Sequence, residues 1–240
     1  MAKDEHRTEV LRALRQLCGK AVQSIHPQSA SRRSFGIPAL DALLPDGGVE
    51  CGSLVEWLVP ADGSGAAILA LQGIRPALDG RLVWAVIDAQ SEFHPSAVRG
   101  WGISLESLLL LRPSSVADAL WAVEQCLRCP AVGVTWFFCE QIPDRVVQRW
   151  KRAAEIGGGI GVLFRSAMAK QRSSWADVRW HVQPRPSVSR EGRVIRVKLM
   201  FCRGCFAGGS VDLELRDATG DVCVVSAMAN STITNRAAGA

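Results

Sequence analysis

Apolar residues recur in this chain at two spacings. Between residues 4 and 26, Val10, Leu11, Leu14, Leu17, Cys18, Val22 and Ile25 return at helical intervals. That pattern predicts an amphipathic helix whose apolar face packs on its own domain or on a partner. Residues 26–33 are polar and turn-rich, a linker. From Val55 the pattern changes to short, continuous apolar runs: the stretch beginning at Val55, then 81–88, Leu108–Leu111, Val132–Phe138 and 160–164. Helical patterns at 66–78, 95–100, 114–128 and 143–156 separate them. Runs without polar alternation suit strands buried on both faces, and the β-α order calls for a parallel sheet with right-handed crossovers. Past Ser174, segments 175–183, 193–201 and 211–215 follow one another without helices, predicting antiparallel strands that extend the sheet. A short helix is predicted around Leu40 and Leu44, one turn apart, ended by Gly47-Gly48. The class is α/β: a mostly parallel twisted sheet flanked by helices, with an N-terminal helix. The organisation is helix and linker (1–33), core domain (34–225) and a small, polar, disordered tail (226–240).

Composition narrows the class. At 240 residues, 48% hydrophobic and 21% charged, the chain suits one globular α/β domain and not a disordered one. A net charge of +5 permits an acidic partner or nucleic acid without requiring either. The first ten residues, MAKDEHRTEV, have no apolar signal core, and no apolar run nears the ~18–20 residues of a membrane span. The expectation is cytoplasmic, without membrane contact, the eight cysteines being thiols.

The segment 55–72, VEWLVPADGSGAAILALQ, has the layout of a phosphate-binding loop: strand, Gly-rich turn, helix. Such loops read G-x-x-x-x-G-K-[ST], with Lys reaching the phosphates and a hydroxyl holding Mg²⁺. Here Val59 stands for the first Gly, and Pro60, Asp62, Gly63, Ser64, Gly65, Ala66 and Ala67 fill the rest, with neither Lys nor the metal-binding hydroxyl. Ser64 reads as a helix cap, with weak anion binding as the alternative.

Upstream, Gly36, Leu40, Asp41, Leu44, Gly47, Gly48, Gly52, Leu54, Val55 and Glu56 match a pattern that precedes this loop in the RecA family, which the chain resembles over roughly residues 34–216. The resemblance implies a RecA-like core and locates three more positions. The catalytic Glu of the Asp-Ala-Glu strand end is Gln90, after Asp88; Gln cannot accept a proton. The metal-binding Asp is replaced at Phe138, and a Gln that senses the γ-phosphate is replaced by Arg165 and Ser166 after Phe164. Four losses together imply a degenerate site without ATPase activity, catalytic residues or cofactor. The two loops that grip DNA in the family correspond to the short segments 139–144 and 166–174.

A RecA-like core with these losses resembles the ImuA family, SulA-like accessory proteins of translesion synthesis. PSSVADALWAVEQ (113–125) and AAEIGGGIGVLFR (153–165) carry that resemblance. It implies an adaptor in damage-induced mutagenesis and the SOS response, docking to an ImuB-type polymerase-like protein, with RecA as a second partner and a DnaE-type polymerase reached indirectly. A SulA-like cell-division inhibitor and a divergent DNA-dependent ATPase are the alternatives.

Residues 165–203 hold ten Lys/Arg against Asp177 and Glu191. Lys170, Arg172, Trp175, Arg179, Arg196, Lys198 and Arg203 are therefore candidates for DNA or partner contact. A solvated basic face is the alternative. Trp175 and Trp180 are expected near the surface. Cys126-x-x-Cys129 and Cys202-x-x-Cys205 have zinc or redox spacing, but sit in apolar settings that favour buried thiols. His6, His26, His94 and His181 form no ligand spacing, and no metal is expected.

Overall fold

The apolar runs form the centre of one sheet, and helices cover both of its faces. A computed structural model describes residues 2–21, 32–60, 64–74, 83–99, 103–187, 192–205, 207–216 and 221–225. In chain order the strands are β1 (Arg32–Arg33), β2 (Val49–Glu50), β3 (Leu54–Val59), β4 (Val83–Ile87), β5 (Leu108–Leu111), β6 (Val132–Phe138), β7 (Ile160–Ser166), β8 (Val178–Arg185), β9 (Gly192–Cys202), β10 (Ser210–Arg216) and β11 (Val222–Val224). The helices are α1 (Ala2–Ala21), α2 (Pro38–Asp41), α3 (Ala66–Ile74), α4 (Pro95–Arg99), α5 (Val116–Arg128) and α6 (Asp144–Gly157).

Nine strands among the described residues make one sheet in the order β11-β10-β9-β8-β3-β7-β6-β4-β5. From β8 to β5 every pairing is parallel; β9, β10 and β11 follow antiparallel. This is the RecA-like α/β architecture. β3 lies between β7 and β8, so it is buried along nearly its whole length.

Alternation along β3 sends its side chains into two cores. Val55 and Trp57 join α2, α3 and the C-terminal strands; Leu54 joins the core under α1, α5 and α6. In the first core Phe35, Trp57 and Trp180 meet at centroid distances of 5.9–6.1 Å. In the second, Trp150 is fully buried and donates through Nε1 to Leu120 O at 3.1 Å. Val10 and Leu14 are buried in that second core, and the Arg7 guanidinium pairs with Asp118 at 3.1 Å and lies over Trp121. Val10 and Leu14 of the apolar side of α1 are thus covered by its own domain.

The motif around residues 34–56 is architectural. Asp41 accepts from Ser34 Oγ (2.6 Å) and Phe35 N (2.7 Å), holding the turn at Gly36, and Gly52 enters β3 at φ +81° with its Cα face against the end of α6. Ser115 caps α5 by accepting from Asp118 N, and Gly158 ends α6 in the left-handed region.

Several expectations are corrected. α1 is described from Ala2 to Ala21, and the remainder of the helix predicted to residue 26 lies outside the described residues. Arg32–Arg33, read as linker, pairs with β2. The helix near Leu40 closes at Asp41, because Pro45 starts a separate 3-10 turn; Leu40 and Leu44 are nevertheless both buried. β8 begins at Val178 and runs parallel to β3, because a crossover carries the chain from β7 past β3. Trp180 is fully buried; β8 is an interior strand with that residue facing the first core. The helix predicted to residue 78 is described to Ile74, and the tail from 226 lies outside the described residues.

Candidate functional site

The end of β3 and the start of α3 frame a cavity of about 240 Å³. Its lining comes from Val59, the first residues of α3 with Ser64 and Gly65 before them, Trp136 and Phe138 of β6, Phe164 of β7 and Arg193 of β9. Of the sequence-derived positions, Ser64, Gly65, Ala66, Ala67 and Phe138 are brought together here. Pro60 is exposed at the end of β3, and Asp62 and Gly63 lie outside the described residues. Gly65 is buried at φ +82°, where any Cβ would collide with Leu215 Cδ1 of β10. The antiparallel strands therefore press apolar side chains onto the turn that would cradle phosphates.

The cavity wall is aromatic. Phe93, Trp84, Trp136 and Phe164 form a ladder across the sheet, with successive centroids 5.5, 5.4 and 4.5 Å apart. Phe138 stands at the rim, 40% exposed. Sequence reasoning marked Phe138 as a lost carboxylate and missed Arg193, which arrives from a strand far along the chain. The recurrence of aromatics at strand ends was the available signal.

Asp88 and Gln90 stay outside this lining. Asp88 accepts from Glu92 N and Phe93 N and pairs with Arg112 at 3.1 Å, so it shapes the turn after β4; Gln90 is exposed. Arg165 points to the opposite face from Phe164 and belongs to a second cluster. There Glu56, fully buried, meets Arg165 Nη1 at 2.9 Å and Arg179 Nε at 2.6 Å, the latter a close ion pair without hydrogen-bond alignment. Arg179 also donates to the carbonyls of Ala169, Lys170 and Arg172, and Arg165 to that of Glu140. One buried carboxylate thus ties β3, β7 and β8 to the segments 139–144 and 166–174. A buried charge needs such counter-charges and hydrogen bonds.

No family model matches the chain. It is 38% identical over 101 residues to Protein RecA of Chlorobium chlorochromatii, covering 42% of this chain and 28% of that protein. Against Protein RecA of Bartonella tribocorum it is 35% identical over 138 residues, 58% of this chain and 38% of that one. Against Protein RecA of Parvibaculum lavamentivorans the figures are 34% over 116 residues, 48% and 31%. The chain is similar to RecA. It spans about a third of the length of these relatives.

In this RecA-like chain the basic candidates separate. Lys170, Arg172, Trp175 and Lys198 are exposed. Arg172 and Trp175 edge a second cavity of about 300 Å³ beside α6. Arg179 is a correction: it is buried on Glu56 and cannot reach a ligand. Arg196 is held by Asp212 through two bonds of 2.6 and 2.7 Å, and Arg203 pairs with Asp177 at 2.5 Å. His181 lies opposite Lys198 in the β8–β9 register; burial first, then Lys170, Lys198 and Arg179, holds its imidazole below the ordinary value.

Of the two C-x-x-C pairs, Cys126, Cys129 and Cys202 are buried and Cys205 is half-buried. Burial pushes Cys126 far up, aided by Cys129, and pushes Cys202 up to about 12, aided by Cys205. Protonated thiols are poor nucleophiles and poor metal ligands. Among the described residues no three His, Cys, Asp or Glu side chains come together as a metal site, and no described helix is long and apolar enough to cross a membrane.

Proposed function

We propose that this RecA-like protein is a non-hydrolysing adaptor in the DNA-damage response, working by docking and not by ATP turnover. The observation that carries the reading is the lining of the cavity at the nucleotide position. Trp136, Phe138 and Phe164 face it, Ala66 and Ala67 follow its turn, and Leu215 packs on Gly65. Phosphoryl transfer depends on positioned cations and on a base or water-orienting group. The lining has no carboxylate or other base, and its one cation, Arg193, comes from β9 and not from the loop or the start of α3.

The resemblance to ImuA supports a role in translesion synthesis, with the ImuB-type polymerase-like protein as the proposed partner and RecA as the second. Docking falls to the exposed basic surface bearing Lys170, Arg172 and Lys198. Arg179 holds the backbone of that loop through three carbonyls, so the surface is pre-shaped and loses little entropy on binding. The N-terminal helix contributes through its outer face, where Arg12 and Arg15 are exposed.

The test pairs two measurements on the full chain. Phosphate release with Mg·ATP, with and without single-stranded DNA, is expected at background. Pull-down of ImuB and RecA is expected to weaken severalfold in the Lys170→Glu/Arg172→Glu double variant. Turnover by the purified chain defeats the first half of the reading, and undiminished capture of both partners by that variant defeats the second.

A further inference from the structure

We infer that the cavity of about 300 Å³ beside α6 is a binding site for a small monocarboxylic acid with an apolar body. Such a ligand is independent of the docking role and of ATP turnover. Leu54, Phe137, Val147, Trp150 and Leu163 of the second core line the cavity, and Trp175, 44% exposed, stands at its edge. Small-molecule sites occupy ~300–1,000 Å³ and are mostly apolar, with a few placed polar groups. This cavity stands at the lower end, with room for one ring and a short chain.

The polar groups of the lining are chiefly donors. Arg172 is exposed, and its guanidinium has no ion pair among the described residues. Ser173 and Ser174 follow it; Ser174 Oγ accepts from Ala176 N and keeps its proton to donate. α6 begins at the rim with Asp144, and no side chain caps it. Val146 and Val147 both donate to Pro143 O, so the N–H groups of Asp144 and Arg145 keep no acceptor among the described residues. The open N-terminus of a helix of 14 residues favours an anion. Arg165 points the same way independently. It lines the cavity at 6% exposure, and its Nε–H has no acceptor, since Glu56 and the Glu140 carbonyl take Nη1 and Nη2. Behind it one buried carboxylate, Glu56, faces the two guanidiniums of Arg165 and Arg179, leaving one positive charge in excess. The carboxylate of the lining, Asp144, is exposed, and Glu140 turns its own to Ser166 N.

These groups select the occupant. A neutral apolar molecule would leave the Arg165 Nε–H unanswered, and a cation would meet Arg165 and Arg172. A phosphate would set more than one charge against an apolar wall that one surplus cation cannot balance. A monocarboxylate supplies the single missing charge, accepts charge-assisted hydrogen bonds from a guanidinium, and buries its apolar body against the second core.

The probe is 3-phenylpropionate, titrated into full-length protein carrying 5-fluorotryptophan, with the Trp175 ¹⁹F resonance assigned by Trp175→Phe. The comparisons are 3-phenylpropanamide, 3-phenylpropylamine, inorganic phosphate and acetyl-Gly-Phe, which presents the same ring and carboxylate as a chain terminus. The acid is expected to shift the Trp175 signal at least tenfold more tightly than the amide, the amine or phosphate, and severalfold more tightly than the dipeptide. Arg172→Gln is expected to weaken the acid severalfold and to leave the amide unchanged, which separates charge from packing. Ser173→Trp, which fills the mouth from an exposed position, is expected to abolish the shift while circular dichroism stays unchanged. Any of four results overturns the assignment: no shift at millimolar acid, an equal response to the amide, tighter occupancy by phosphate, or tighter binding of the dipeptide.

Discussion

Glu56 concentrates the electrostatics of the protein at one residue. It is fully buried between two guanidiniums, and its removal strands both. Breaking a buried ion pair by deleting one partner costs about 3–5 kcal/mol, because the surviving charge stays desolvated. Glu56→Gln is expected to lose about that much in urea unfolding, and Glu56→Gln with Arg165→Met and Arg179→Met to recover part of it. A triple variant no more stable than the single one would show that the carboxylate matters for its shape alone. The charge itself was legible, since a Glu inside the apolar run LVEWLV demands counter-charges. Their identity was not, because Arg165 and Arg179 lie more than a hundred residues downstream, and the sequence offered both as surface or site residues. Phe138 shows the reverse: its position at a strand end was legible, but the ladder behind it depends on Trp84 and Trp136 of neighbouring strands, which only the sheet order brings into contact.

At the scale of elements, α1 and β8 mark the limits of periodicity. The spacing of Val10 and Leu14 identified a helix with one apolar face but left open what that face meets. Packing on α5 answers it, through buried Val10 and Leu14 and the Arg7–Asp118 pair. Leu14→Asp forces a carboxylate into that contact and is expected to undock α1. Amide exchange should then quicken across the first twenty residues while β6 stays protected. Equal protection in the variant would place the weight of the contact on Arg7. For β8, alternation announced a strand without its direction. A parallel partner needs a crossover, and residues 167–177, opening with the 3-10 segment Ala167–Gln171, supply it without an α-helix. A connection that short resembles a hairpin loop on paper, which is why the strand read as antiparallel.

The whole molecule is organised by where β3 finds its neighbours. Both flanking strands come late: Leu54 is paired with Gly161 on one side, and Val55 with Val178 on the other. Non-local pairing of this kind slows folding and leaves strand edges exposed meanwhile. A chain ending at Gly157 keeps β3, β4, β5 and β6 but deletes both partners of β3. It is expected to be recovered as aggregate, whereas a chain ending at Val225 is expected to match the full-length unfolding midpoint. A soluble, cooperatively unfolding 1–157 fragment would contradict this. On the ribosome the same geometry has a temporal meaning. The strand leading into the segment that most resembles a nucleotide-binding loop emerges early yet waits for its first partner until about two-thirds of these 240 residues have been made, and for its second until about three-quarters. Its apolar surface is thus offered to chaperones before it is offered to any partner.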